Sequence, residues 1–361
     1  MSNLDDLLQL ANDAFNGGDY KNSIEYFDKL IFYYGDIVEL YNNRGLAKSG
    51  LGMYEEAIKD FEKVISIDPN YIHAYNNIGL VNHNLGNYKE AIKYYNKALE
   101  LDNNCIQVYN NIGLANHNLG NYEEAIRNYI KAIEISPNVH TYNNIGLVKN
   151  DLGLYEEAIK DFNKVLELDK NYSKAYYNIG LSKYNLKKYD EAIEYFNKAL
   201  ELDINSAYTY NNIGIVKQDL RIDKEAVYYF DKALELDKNY SKAYYNRGIS
   251  KINLKLYEEA VNDFYKVIEL EPKNFNAYFR LAYIKLKLKL YEEAIEYYDK
   301  YIDCDNVSND VYFYRGFAKY KLSDYKNALK DFDKADSNIK VIVLKMISKI
   351  KSILKKLKAK D

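Results

Sequence analysis

Seven asparagines stand at one register: Asn43, Asn77, Asn111, Asn144, Asn178, Asn212 and Asn246, spaced 34 residues apart except for one step of 33. A primary amide carries donors and an acceptor, so a row of them can pair with peptide units whatever side chains the bound chain carries. A compositional reading stands beside this one. Tyr (41 residues), Asn, Lys and Ile are all abundant and all have codons made of A and T alone, so genome bias also accounts for the row. Where the row stops, its register carries Arg280 and Tyr314, set among Phe275, Phe279, Tyr283, Phe313, Phe317 and Tyr320. Aromatics and Arg dominate binding hot spots. Phe279, Arg280, Tyr283, Phe313, Tyr314 and Phe317 therefore form a candidate anchor, with packing against the C-terminal segment as the alternative for some of them.

Other reactive residue types lead elsewhere. His73, His83, His117 and His140 cannot share one ion, because metal ligation needs nitrogens about 2 Å from it. Neighbouring repeats place equivalent residues roughly 10 Å apart, and no HxxxH pair occurs. Cys105 and Cys304 are 199 residues apart with no companion motif, which fits a reducing compartment rather than a disulfide framework. Cys304 takes a place held by Leu or Ile elsewhere and reads as a small core residue. There is no Gly-rich phosphate loop, GxSxG, HExxH or spaced CxxC pair. The expectation is no catalytic residue, no metal, no cofactor and no small-molecule substrate. Arg44, Arg247 and Arg315 stand where other repeats put Ile or Leu, and each has an Asp on the following helix: Asp60, Asp263 and Asp331. A structural ion pair is predicted there, with the guanidinium stacked on Tyr26, Tyr229 or Tyr297 of the preceding repeat. A binding role for these Arg is the alternative.

The elements that carry these residues follow from the period. Tyr41, Tyr75, Tyr109, Tyr142, Tyr176, Tyr210, Tyr244, Tyr278 and Tyr312 mark it, and Leu7 holds the same place 34 residues before Tyr41. Such self-similarity is the signature of stacked helical repeats. Within residues 72–105, Tyr75, Ile78, Gly79 and Val81 have helical spacing, a break follows at Leu85-Gly86-Asn87, and Ala91, Tyr95 and Ala98 mark a second helix. Gly18, Gly52, Gly86, Gly120 and Gly153 suit a left-handed turn. Later repeats put Lys187, Arg221, Lys255, Lys289 and Ser323 there, so those turns are expected to be built differently or to be strained. Gly45 through Gly316 on first helices face Ala57 through Ala328 on second helices, so the backbones can approach closely. Leu46, Leu80, Leu114, Leu147, Leu181, Ile215 and Ile249 run beside the asparagines, as groove floor or as packing between first helices.

Ten units result: 4–37, 38–71, 72–105, 106–138, 139–172, 173–206, 207–240, 241–274, 275–308 and 309–337. These residues resemble the tetratricopeptide repeat family, with Tyr in place of its usual Trp and with Asp223 as the largest departure. The resemblance implies an all-α, right-handed superhelical α-solenoid of helix-turn-helix repeats whose first helices line a concave groove. It also implies a protein-protein interaction scaffold or adaptor that holds peptide segments of other proteins, and in some long members such Asn side chains grip the peptide backbone. The clamp that some members use for chaperone tails is missing, because Asn or aromatics replace its Lys.

Residues 338–361 carry Ile342, Met346, Ile350, Ile353, Leu354 and Leu357 on one stripe and Lys on the other, as a C-terminal capping helix would. Residues 340–361 hold eight Lys and one acid; with a net charge of −3 overall, the rest of the chain carries ten negative charges. The array gives no reason to expect nucleic acid. Weak contact of the Lys-rich end with a membrane or nucleic acid stays open. The acidic N-terminus lacks an apolar signal region and no apolar run approaches 18 residues, so a cytoplasmic chain is expected. The alternative to an adaptor is a self-assembling or structural subunit of a larger complex.

Overall fold

The computed structural model describes residues 4–303, 309–335 and 340–358. Among them are 21 helices and no strand. Cys304 lies outside the described residues. Contacts group the chain into two compact units, Met1–Leu186 and Lys187–Asp361.

The first unit is a stack of helical hairpins. Leu4–Asn16 pairs with Tyr20–Tyr34, Val38–Gly50 with Tyr54–Ile67, Ile72–Asn84 with Tyr88–Leu101, Ile106–Asn118 with Tyr122–Ile135, and Val139–Asp151 with Tyr155–Leu168. The first helix of repeat six, Ser173–Asn185, completes it. The second unit opens with that repeat's second helix, Tyr189–Leu202. Ala207–Asp219 then pairs with Asp223–Leu236, Ser241–Asn253 with Tyr257–Leu270, Phe275–Lys287 with Tyr291–Ile302, and Asp310–Lys321 with Tyr325–Phe332. The helix Lys340–Lys358 follows. First helices of successive repeats touch from Val38–Gly50 to Ser173–Asn185 in the first unit; in the second, Ala207–Asp219 touches Ser241–Asn253, Phe275–Lys287 touches Asp310–Lys321, and Arg280 reaches back to Tyr245, so each unit has a first-helix layer.

Each hairpin closes on one aromatic ring. Phe27, Phe61, Tyr95, Tyr129 and Phe162 in the first unit, and Phe230, Phe264, Tyr298 and Phe332 in the second, are at most 2% exposed. Full burial of such a ring contributes about 2–3 kcal/mol. The glycines of the first helices make room for it. A Cβ on Gly146 would stand 2.5 Å from Phe162 Cε1, and one on Gly248 would stand 2.8 Å from Phe264 Cζ.

The turns are built alike down the chain. The five turn glycines have φ between 74° and 77°. Lys187, Arg221, Lys255, Lys289 and Ser323 adopt the same left-handed conformation at φ 59° to 65°. Of the two expectations for these turns, strain holds and a different construction does not. A Cβ in this region crowds the neighbouring carbonyl at about 1–2 kcal/mol per residue.

The marker tyrosines tie down the loops between repeats. Tyr75 Oη donates to Pro69 O at 3.1 Å, Tyr176 Oη to Lys170 O at 3.3 Å, and Tyr41 Oη to Asp36 Oδ1 at 2.9 Å. At the C-terminal end, Ile350 of Lys340–Lys358 is buried against Ala328 and Phe332, with Met346 and Ile347 beside it. The side chains of Ile342, Leu354 and Leu357 lie outside the described residues.

Candidate partner-binding site

The asparagine row lies on the first-helix layer, but it is not free-standing. Asn77 Nδ2 donates to Asn42 Oδ1 at 3.0 Å, Asn111 to Asn76 at 3.0 Å, Asn178 to Asn143 at 2.9 Å and Asn246 to Asn211 at 3.2 Å. Each bond joins one repeat to the repeat before it. On the 33-residue step, Asn110 Oδ1 receives Thr141 Oγ1 instead, at 2.8 Å. At the end of the row the connection persists with other chemistry, because Arg280 Nε donates to Tyr245 Oη at 3.3 Å. Asn77 and Asn178 are buried, while Asn43, Asn111, Asn144, Asn212 and Asn246 are half-buried. An amide with one N–H spent keeps a second N–H and its oxygen.

The acceptors Asn42, Asn76, Asn143 and Asn211 went unremarked in the sequence. Their signal is the doubled asparagine, Asn-Asn, that recurs in register. Beside the row, Leu46 and Leu80 pack onto core clusters, whereas Leu114 is 39% exposed. Packing thus takes up Leu46 and Leu80, and Leu114 stays open to solvent.

The three arginines form the predicted pairs. Arg44 reaches Asp60 through Nε at 2.9 Å and Nη2 at 2.5 Å. Arg247 holds Asp263 at 3.1 and 2.5 Å, and Arg315 holds Asp331 at 2.9 and 2.6 Å. A second carboxylate from the preceding repeat completes each node: Asp28 at 2.6 Å, Asp231 at 2.6 Å and Asp299 at 2.5 Å. Lys48, Lys251 and Lys319 add a second cation to the inner Asp. Burial pulls the three guanidiniums down, but their two Asp partners outweigh it and hold each above its ordinary value. The expected stacking partner was wrong. The guanidiniums lie over Tyr41, Tyr244 and Tyr312, with ring-centroid distances of 5.2, 5.2 and 5.4 Å, and not over Tyr26, Tyr229 and Tyr297. Residues three apart on a helix are neighbours, and each of these Tyr precedes its Arg by three.

Where Ile145 replaces Arg, Asp161 has Lys149 at 2.7 Å, and burial pushes its carboxyl up despite that lysine.

In repeats nine and ten the aromatics meet. Phe279 lies against Tyr298, Tyr301 and Tyr314 at 5.9, 5.2 and 6.0 Å. Tyr283 meets Tyr314 edge-on at 6.4 Å, and Tyr298 stacks on Tyr314 at 6.3 Å. Phe313 and Tyr320 pack onto the cluster that holds Phe332 and Ile350, so the C-terminal helix takes part of the expected anchor. Phe317 is half-buried beneath Lys321.

Two of the four histidines, His83 and His117, join neighbouring first helices, while His73 meets Tyr71 and His140 meets Tyr172 edge-on. Asn118 Nδ2 donates to His83 Nε2 at 3.2 Å, and His117 Nε2 meets Asp151 Oδ2 at 2.6 Å. Burial holds the His83 imidazole below its ordinary value. Among the described residues, no helix is long and apolar enough to cross a membrane.

Family models described as tetratricopeptide repeat match residues 36–104, 104–171, 173–206, 241–274 and 264–296, together more than half the chain. The chain belongs to the tetratricopeptide repeat family.

A tetratricopeptide repeat protein from Parabacteroides merdae is 18% identical, with a TM-score of 0.50 over 68% of this chain and 98% of that one, a likeness of fold alone. MamA is 28% identical, with a TM-score of 0.41, covering 46% of this chain and 92% of its own. YrrB, described as a TPR protein with an unusual peptide-binding site, is 24% identical, with a TM-score of 0.41, covering 51% of this chain and 95% of its own. No curated protein matches the sequence. The architecture is an all-α helical repeat solenoid, and tetratricopeptide repeats typically serve as non-enzymatic scaffolds for protein interaction. The nodes that this member adds to its repeats had one further legible sign. Asp28, Asp231 and Asp299 each precede an Arg by 16 residues, as Asp60, Asp263 and Asp331 follow one by 16.

Proposed function

We propose that the chain is an adaptor whose first-helix layer holds segments of other proteins. In the first unit the contacts fall to Asn43, Asn77, Asn111, Asn144 and Asn178. In the second they fall to Asn212 and Asn246 and to the aromatic end, Phe279, Arg280, Tyr283, Phe313, Tyr314 and Phe317. The observation that carries this reading is the geometry of the amide pairs. The inter-repeat bond fixes each donor's rotamer and spends one of its N–H groups. Ordering a side chain at an interface costs about 0.5–1.5 kcal/mol, and a preset amide has met that cost before the ligand arrives.

The test compares two sets of variants against segments captured by pull-down. Asn111→Ala with Asn144→Ala removes ladder amides. Asn76→Ala removes only an acceptor that serves the ladder. Affinity that falls for the first, and by a smaller amount for the second because Asn111 loses the bond that presets it (about 0.5–1.5 kcal/mol), supports the adaptor reading; affinity unchanged in both removes the asparagines from it.

A second reading, a self-associating or structural subunit, has one observation in its favour. Phe32 and Tyr33 at the end of Tyr20–Tyr34 are 82% and 70% exposed. Light scattering over a concentration range separates it from a monomeric adaptor.

A further inference from the structure

Charge is distributed unevenly along the first helices. Ile72–Asn84 and Ile106–Asn118 contain no Lys, Arg, Asp or Glu. Phe275–Lys287 contains Arg280, Lys285 and Lys287 and no acid. Asp310–Lys321 contains Arg315, Lys319 and Lys321 and one acid, Asp310 at its start. Three of these six cations are spent internally: Lys285 on Glu293, Arg315 on Asp331 and Asp299, Lys319 on Asp331.

The other three differ. Arg280, Lys287 and Lys321 have no carboxylate within 4.0 Å among the described residues. Each lies instead over an aromatic ring: Arg280 over Phe279 at 5.9 Å, Lys287 over Tyr283 at 5.0 Å and Lys321 over Phe317 at 5.3 Å. Lys287 and Lys321 are exposed, and Arg280 is half-buried. A cation over a ring is held in place by the ring's quadrupole without being neutralised, so its charge stays available. Arg280 and Lys287 are seven residues apart, two turns of one helix face, or about 10 Å along the axis. Lys321 repeats the place of Lys287 one repeat later. An extended chain covers about 10 Å in three residues.

From this complementarity we infer that repeats nine and ten select an acidic segment of a partner protein, with two or three Asp or Glu within about six residues and apolar side chains between them. The carboxylates meet Arg280, Lys287 and Lys321, and the apolar side chains meet Phe279, Tyr283 and Phe317. This rests on the first-helix layer being the partner-binding surface, and it adds the chemistry of the ligand.

The test uses the full chain and a fluorescent peptide alternating Glu and Leu, read by anisotropy. The comparison probes are a Gln/Leu peptide and single-stranded oligothymidylate. The Glu/Leu peptide is expected to bind most tightly, with affinity that falls as salt rises. Lys287→Gln with Lys321→Gln is expected to weaken it about tenfold, and Lys93→Gln, at an exposed lysine of the second helix Tyr88–Leu101, to leave it unchanged. Both lysines are exposed, so the neutral variants fold, and a circular dichroism melt checks this.

A Gln/Leu peptide that binds as tightly while still protecting the first helices from hydrogen exchange overturns the acidic preference and leaves the binding surface standing. A Glu/Leu peptide that protects the second helices instead overturns the reading beneath it. No binding of the Glu/Leu peptide overturns the inference, as does tighter binding of the oligothymidylate that the same substitutions abolish.

Discussion

Asn178 Nδ2 donates to Asn143 Oδ1 at 2.9 Å, with both side chains buried, one repeat apart. The pair shows why a row of polar residues persists on an otherwise apolar layer. A buried amide left without a partner costs about 1–3 kcal/mol, so each asparagine requires the other. Removing Asn178 alone, by Asn178→Ala, is expected to cost about 1–2 kcal/mol in urea unfolding, because Asn143 Oδ1 loses its donor. Asn143→Ala together with Asn178→Ala should cost less than the sum of the two single changes, with a coupling of about 1 kcal/mol. Additive losses would show that the bond contributes nothing.

The arginine nodes are expected to be more costly to break. Asp263 is 3% exposed and holds both Arg247 and Lys251. Arg247→Ala leaves Asp263 with the lysine alone and Asp231 without its guanidinium. The remaining lysine limits the loss to about 2 kcal/mol, seen as a lower urea midpoint. Arg247→Lys keeps the charge but not the two-pronged geometry, so about half of that loss is expected. Equal stability of Arg247→Ala and the parent protein would contradict the assignment.

Strained turns offer the opposite sign. Lys255 stands at φ 62°, where the earlier repeats use glycine. Lys255→Gly relieves the left-handed strain and gives back part of the gain as unfolded-chain entropy. A net stabilisation of about 0.5–1 kcal/mol is expected, measured by the same denaturation. Gly120→Lys, the reverse change at φ 76°, should destabilise by a similar amount.

His83 gives the array a pH dependence. Burial lowers its folded pKa below the ordinary value of 6.5, and Asn118 donates to the imidazole nitrogen that a proton would occupy. Tyr88 faces it edge-on at 5.0 Å. The unfolded chain therefore binds this proton more readily than the folded one. The contribution of His83 is present in full above pH 6.5 and is lost as pH falls through the folded value. A proton-NMR titration should place His83 below 6.5, and His83→Gln should flatten the dependence of stability on pH between that value and 6.5. A titration point at or above 6.5 would contradict this.

Much of the fold could be read from the sequence because its cause is local and repeated. Tyr, Gly and Ala in register define two helices and their contact, and ten copies leave little room for another period. The Arg44–Asp60 pair was legible because one buried charge needs another nearby. Two features were not. The Tyr stacking was assigned across repeats when Tyr41, one helical turn from Arg44, was already in reach. The Asn77–Asn42 bond depends on how one first helix rotates against the next, which the period does not state. The ladder was visible as a row, but the bonds by which it joins repeats appear only once both helices are in place.

The central claim is that partners are held by the first helices. Hydrogen–deuterium exchange, measured on the full chain with and without a captured partner segment, tests it most directly. The account predicts added protection in Ile106–Asn118, Val139–Asp151 and Phe275–Lys287, with the paired second helices, Tyr122–Ile135, Tyr155–Leu168 and Tyr291–Ile302, unchanged. Protection confined to the second helices would contradict it.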